Sequence, residues 1–197
     1  MIRPLLITLT ASAALMAADD AWTIDVRGHV GGSSPMNETD GADLDGKLSL
    51  AWGLDAAFRK QPWDKFGFAL LAGVFRDIHR GEKDSVDLDY TALGINLAGG
   101  VTYQVTEPIH LEGLIHGRFG SGRLDGTDAN GGSVSGDHGS TSAFGITAGG
   151  YYTFPFRLMI GANVGWESWK GESDVSGTSI DNKGDGLVFS AVAGYVF

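Results

Sequence analysis

Charged side chains recur at alternate positions in several parts of the sequence, among small residues. Because residues two apart in a β-strand face the same side, such carboxylates and guanidinium groups would share one face and form ion pairs. A charge removed from water has to be paired in this way. The residues that this pattern selects are Asp25, Arg27, Asp55, Glu112, His116, Arg118 and Glu167.

The residue types that catalyse acyl transfer are present but poorly spaced. Such chemistry needs a nucleophile beside a base that a third group orients. His138 and Ser140 are the nearest pair, yet they stand in a Gly/Ser-rich stretch with no acidic partner at a suitable spacing, and the chain has no cysteine. We therefore expect a protein that is not an enzyme.

Metal, cofactor and nucleic-acid sites are not indicated either. Asp125, Asp128 and Asn130 come closest to the spacing of a calcium loop, but they lack its bidentate Glu and ordered Gly. We interpret them as part of a solvated loop and expect no metal and no cofactor. The formal net charge of −10 disfavours nucleic acid as a partner.

Eight segments alternate between large apolar and small or polar residues, which is the period of a β-strand. Glycine, at 31 of 197 residues, is about twice as frequent as the roughly 7% of ordinary proteins, and it lies mostly on the small face. The segment at 66–78 alternates least cleanly, because Leu71 and Phe75 fall opposite Phe68, Leu70 and Val74. The predicted strands are 22–31, 47–59, 66–78, 89–105, 109–118, 143–154, 157–170 and 186–197.

The connections and the aromatic residues favour a barrel with its apolar face outward, in a membrane, over a soluble lipocalin-like barrel. Long acidic connections (33–45, 79–88, 120–142, 171–185) alternate with short ones, as in outer-membrane barrels. Aromatic residues near both strand ends predict two interfacial belts. Those near the long loops are Phe75, Tyr90, Phe119, Phe144, Trp166 and Trp169, and those near the short turns are Trp63, Phe66, Tyr103, Phe154, Phe156 and Phe197. The predicted fold is all-β, a closed eight-stranded antiparallel transmembrane β-barrel with up-and-down meander topology.

The first residues have the layout of a secretory signal peptide. A basic start at Arg3 precedes an apolar run over 5–15 and small residues at Ala17 and Ala18. We predict cleavage after Ala17, which divides the chain into a signal peptide (1–17) and a barrel domain (18–197).

The last predicted strand resembles the C-terminal insertion signal of bacterial outer-membrane proteins. Phe189, Tyr195 and the terminal Phe197 occupy its alternating hydrophobic and aromatic positions. The mature chain as a whole resembles the small eight-stranded porin-like group that includes the OmpA transmembrane domain, OmpX and OmpW.

This resemblance implies a place in the bacterial outer membrane, with periplasmic termini and extracellular long loops. It also implies contact with outer-membrane lipid and lipopolysaccharide, and with the barrel-assembly machinery during insertion. We expect a monomer with a structural or surface-interaction role and a largely plugged lumen. Two alternatives stay open: a narrow porin-like channel for small solutes and, less favoured, a lipid A-modifying enzyme.

Overall fold

The computed structural model describes residues 22–127 and 131–197, which form an all-β structure. Among these residues, no helix is long and apolar enough to cross a membrane. The predicted signal peptide lies outside the described residues. The strands are β1 (Thr23–Gly32), β2 (Glu38–Thr39), β3 (Ala42–Asp43), β4 (Asp45–Trp63), β5 (Phe66–Lys83), β6 (Val86–Thr106), β7 (Ile109–Thr127), β8 (Ser133–Ser135), β9 (Asp137–Thr153), β10 (Leu158–Val175) and β11 (Thr178–Val196).

Eight long strands form an antiparallel ring. Neighbours in sequence pair in the order β1, β4, β5, β6, β7, β9, β10, β11, and β11 pairs back onto β1 from Asp25↔Val196 to Gly32↔Phe189. Beyond the end of β1, the short strand β2 pairs with β11, β3 pairs with β2, and β8 pairs with β7. We call that end of the ring the loop end, and the end that carries Thr23 and Val196 the turn end.

The two faces of the ring differ as the alternation predicts. Large apolar side chains point outward and are exposed, whereas charged and small residues point into the lumen. In β5, whose sequence alternates least cleanly, Leu71 and Phe75 point inward and are buried, while Leu70 and Val74 point outward. The apolar surface of the protein is therefore mostly on the outside of the ring.

The strands continue further towards the loop end than predicted. Strand β7 ends at Thr127 and not near Arg118, and β5–β6 and β10–β11 are joined by two-residue turns at 84–85 and 176–177. Asp84, Ser85, Ser176 and Gly177 all have positive φ, as type I′ hairpin turns require. Above the apolar band both faces of a strand are polar, so hydrophobic alternation cannot reveal this part of the sheet. The predicted loops at 79–88 and 171–185 are consequently mostly strand.

Candidate functional site in the lumen

The lower lumen, nearer the turn end, contains a buried ion-pair group centred on Arg27. Arg27 Nε donates to Asp25 Oδ1 at 2.8 Å, and its two Nη atoms donate to the Glu112 carboxylate at 2.8 and 3.2 Å. Arg59 Nη2 lies 2.9 Å from Asp25 Oδ2. Two arginines thus face two carboxylates, so charge is balanced where water is excluded.

Two aromatic rings complete this group. His110 lies 3.4 Å from Glu112, and its ring stacks on Tyr151 with centroids 4.9 Å apart. The Arg27 guanidinium lies over the same tyrosine ring, 5.0 Å from its centroid. Tyr151 also donates its hydroxyl to Asn163. Each charged side chain in the lower lumen is therefore held on more than one side.

Asp55 stands in the middle of the lumen, and among the residues that the structure describes no arginine is its hydrogen-bond partner. His29 Nδ1 lies 3.1 Å from Asp55 Oδ2, and Asn96 donates to Asp55 Oδ1 at 3.0 Å. The sequence predicted that Asp55 would share the inner face with guanidinium groups and form ion pairs with them. An imidazole on β1 and an amide on β6 take the place of the guanidinium.

The upper lumen contains a second ion-pair group around Arg118. Its Nη1 atom donates to Asp77 Oδ2 at 2.7 Å and lies 3.2 Å from Glu167 Oε2. His116 Nε2 is 3.0 Å from the same Glu167 oxygen, and Ser34 donates to the other. This group joins β5, β7 and β10, together with the segment that follows β1.

An aromatic plug closes the lumen above Arg118. The rings of His79 and Trp169 stack at 3.9 Å, and those of Trp169 and Tyr90 at 5.0 Å. Met36 is fully buried against these rings, and Trp169 Nε1 donates to the Pro35 carbonyl. The segment after β1 thus turns into the mouth of the ring, whereas the sequence predicted only a long acidic connection at 33–45.

This plug corrects the predicted aromatic belt at the loop end. Phe75, Tyr90 and Trp169 point into the lumen and are buried, whereas Phe119, Phe144 and Trp166 point outward and are exposed. At the turn end, Trp63, Phe66, Phe156 and Phe197 are also exposed on the outside. Only some of the aromatic residues near the loop end can therefore contact a lipid interface.

Glycines on the inner face provide the room for these large side chains. A Cβ atom at Gly145 would lie 2.7 Å from the His116 ring, and one at Gly122 would lie 2.4 Å from the Tyr90 ring. Real Cβ contacts are not this short, so both positions need glycine for close approach. The high glycine content follows from a narrow lumen that bulky polar residues fill.

The sequence-predicted lumen residues all point inward, and they lie at three levels of the lumen. Asp25, Arg27 and Glu112 meet in the lower lumen, and Asp55 lies in the middle. His116, Arg118 and Glu167 meet in the upper lumen. Sequence reasoning missed His79, because it assigned this position to a connection, and Asp77, although this residue lies within the predicted strand 66–78. It also missed His110, although this residue shares the alternation of Glu112.

The three residues of the predicted insertion signal lie on the outward face of β11 and directly after its end. Phe189, Tyr195 and Phe197 are exposed on the outside of the ring, and the Phe197 amide donates to the Ile24 carbonyl on β1. The rings of Tyr195 and Phe197 are 5.2 Å apart. These side chains are accessible to a partner from outside the ring.

The geometry gives no support to a catalytic pair at 138–140. His138 and Ser140 lie on strand β9, and the Ser140 hydroxyl donates to Glu172 and not to the imidazole. Within 22–127 and 131–197, no group of three or more His, Cys, Asp or Glu side chains is arranged to hold a metal ion. Asp125 pairs with Arg123, and residues 128 and 130 lie outside the described part.

The rim at the loop end is charged and partly self-neutralised. Lys47 pairs with Asp87 and Glu82, Lys183 with Glu38, and Arg80 with Asp89. Hydrogen bonds from Lys47 to Asp87 and Glu82 raise the pKa of this exposed amine. The excess of acids predicted for this end is thus balanced in places by cross-strand pairs.

Comparison with known proteins gives similarity to solved structures of outer-membrane proteins. Ail of Yersinia pestis is 17% identical with a TM-score of 0.46, covering 91% of this chain and 100% of that one. A major outer membrane protein of Thermus thermophilus is 12% identical with a TM-score of 0.48, covering 90% and 100%. OprG of Pseudomonas aeruginosa is 17% identical with a TM-score of 0.42, covering 90% and 97%. No protein-family model and no curated protein matches the chain.

Proposed function

We propose that the chain is a closed transmembrane β-barrel of the bacterial outer membrane, with an occluded lumen and a structural or surface-interaction role. The observation that carries this proposal is that apolar side chains face outward and charged side chains face inward, the reverse of a water-soluble barrel. Trp52, Leu97 and Ile115 are exposed on its outside, whereas Arg27, Glu112 and Glu167 are buried inside. In water such an arrangement would expose its apolar face to solvent. In a membrane the apolar face contacts lipid, and the charged side chains pair inside the ring.

Closure of the ring supports the same proposal. Backbone groups at an open sheet edge have no partners in lipid and cost several kcal/mol each. Strand β1 pairs with β4 on one side and with β11 on the other, so its backbone groups are used on both edges. The two chain ends that the structure describes then lie together at the turn end, which we assign to the periplasm.

The occluded lumen supports a structural role over transport. The upper and lower ion-pair groups cross the lumen, and the aromatic plug covers its loop end. We assign the loop end to the cell exterior, where lipopolysaccharide surrounds it. Phe189, Tyr195 and Phe197 are accessible to the barrel-assembly machinery, and we propose a monomer that is not an enzyme.

Tryptophan fluorescence tests the membrane orientation directly. Trp166 and Trp169 are three residues apart on β10, yet Trp166 is 47% exposed on the outside and Trp169 is 2% exposed in the lumen. Two variants would each retain a single tryptophan, Trp166 or Trp169, with the other four of the chain replaced by phenylalanine. Both would be folded into vesicles of brominated phospholipid. We expect strong quenching of Trp166 and little quenching of Trp169. Equal quenching, or none at Trp166, would contradict the proposal.

A further inference from the structure

We propose that the middle of the lumen is a water-filled chamber, and that two independent barriers separate it from the two ends of the barrel. The inference rests on the proposed closed, occluded barrel. It adds that the occlusion is not one continuous plug, so that opening either barrier alone would give access to the chamber from one side without creating a through path.

The chamber is a cavity of about 60 Å³ between the two ion-pair groups. His29, Asn96 and Arg118 line it, together with small and apolar residues such as Ala51 and Ala98. A buried water needs roughly 10–15 Å³ of such volume and two to four polar partners. The chamber therefore has room for several water molecules.

Three buried atoms of its lining need such partners. His29 Nε2, Asn96 Oδ1 and Arg118 Nε have no hydrogen-bond partner among the protein atoms that the structure describes. The other side of each group is engaged, since His29 and Asn96 hold Asp55 and Arg118 holds Asp77. An unpaired buried polar group is costly, and water in the chamber would satisfy all three.

The lower barrier is the Arg27 group. Below it, a vestibule of about 270 Å³ at the turn end is lined by Arg59, His110, Thr102 and Gln104. Arg27, Glu112 and Tyr151, which lie deeper in the lumen, are at most 3% exposed. Solvent from the turn end thus reaches the underside of this group and stops there.

The upper barrier consists of the Arg118 group and the aromatic plug above it. Arg118 spans from Asp77 on β5 to Glu167 on β10. His79, Tyr90, Trp169 and Met36 cover these groups and are at most 2% exposed. The upper barrier shares no residue with the lower one, so each can be removed without the other.

A single cysteine in the chamber tests this arrangement, because the chain has none of its own. Ala98→Cys places a thiol in the chamber lining. The matched control is Ala92→Cys, six positions away on the same inward face of β6 but within the aromatic plug. Each would be combined with R27S/E112S, which removes the Arg27–Glu112 pair and leaves Asp25 and Arg59 2.9 Å apart.

Proteins folded into vesicles would be treated with methanethiosulfonate ethylammonium, and labelling followed by mass spectrometry. With both barriers intact, we expect both thiols to be protected. In the R27S/E112S background, we expect the labelling rate at position 98 to rise by at least about a hundredfold. In the unsubstituted background the buried Arg27–Glu112 pair must break before the reagent can reach the thiol, and the double substitution removes this cost. Position 92 should stay protected, and planar-bilayer conductance should stay at the lipid leak.

Each other outcome overturns the inference. Rapid labelling at position 98 in the otherwise unchanged protein would show that at least one of the two barriers is absent. Ohmic conductance steps of R27S/E112S alone would show that there is no second barrier. If the protein without these substitutions already conducts, the proposed occluded barrel itself fails, and this result is distinct from the other two.

A crystal structure of the unsubstituted protein supplies a test that no variant's folding can affect. We expect ordered waters within about 3.2 Å of His29 Nε2, Asn96 Oδ1 and Arg118 Nε. Rearranged side chains that pair these three atoms with protein groups would contradict the hydrated chamber.

Discussion

Arg27 and Glu112 are 85 positions apart in the sequence, and two hydrogen bonds of 2.8 and 3.2 Å join them across the lumen. Their strands, β1 and β7, stand opposite each other in the ring of eight. The pair therefore braces two walls that have no backbone hydrogen bonds in common. A contact of this kind makes the ring rigid and also blocks the lumen.

Removal of one partner of this pair should destabilise the protein strongly. Glu112→Ala leaves the Arg27 guanidinium buried with Asp25 as its only carboxylate, and such a loss costs about 3–5 kcal/mol. The free energy of unfolding in urea, measured in lipid vesicles, would show this. Lys47→Ala breaks exposed pairs at the rim and should cost less than about 1 kcal/mol. Equal effects of the two substitutions would contradict the bracing role.

Glycine at position 122 should be required, whereas glycine at position 113 should not. Both lie on β7, but a Cβ atom at Gly122 would lie 2.4 Å from the Tyr90 ring, whereas at Gly113 its nearest neighbour is Val101 at 3.8 Å. We expect Gly122→Ala to cost about 1–3 kcal/mol through overpacking and Gly113→Ala to be neutral or slightly stabilising. Unfolding in urea measures both, and a stable Gly122→Ala variant would argue against the packed plug.

The plug should protect Met36 from oxidation. Met36 and Met159 are both fully buried, but only Met36 packs with Trp169. Trp169→Ala removes the indole that covers the segment and its hydrogen bond to Pro35. Peptide mass spectrometry after peroxide treatment should show faster sulfoxide formation at Met36 in this variant, with Met159 unchanged as the internal control. Fast oxidation of Met36 in the unsubstituted protein would mean that the segment does not occupy the mouth.

A charge on the outer face should be tolerated at the rim and not in the middle of the proposed lipid-facing band. Ile115 is 55% exposed on the outside of β7, so in water Ile115→Arg would cost little. In a bilayer the substitution should cost about 2–4 kcal/mol, against about 0–1 kcal/mol for Ser121→Arg near the loop end. Folding free energies in phospholipid vesicles give both values. A harmless Ile115→Arg would contradict the membrane orientation.

The sequence predicted the structure correctly where a single physical cause determines the residue pattern. Alternating apolar and small residues located every long strand, because lipid on one side and a narrow lumen on the other impose a period of two. The same alternation selected Arg27, Glu112, Arg118 and Glu167 as inward residues. Which of them pair could not be derived, because strand register around a ring is a non-local property.

The parts that sequence reasoning missed lie beyond the apolar band. His79 belongs to the outer part of β5, which has no apolar face, so it was assigned to a connection. Trp169 and Tyr90 were placed in an interfacial belt because aromatic residues near strand ends are common there. Their inward position depends on Gly122 and Gly171, which leave room for the Tyr90 ring, and only the three-dimensional packing shows this.

Conductance of the folded protein tests the central claim most directly. Material that migrates faster on gels when unboiled than when boiled would be added to a planar lipid bilayer, so that only folded protein is measured. The two ion-pair groups and the plug predict a current equal to that of the lipid alone. Stable ohmic steps from the unsubstituted protein would contradict the occluded lumen and favour a narrow channel.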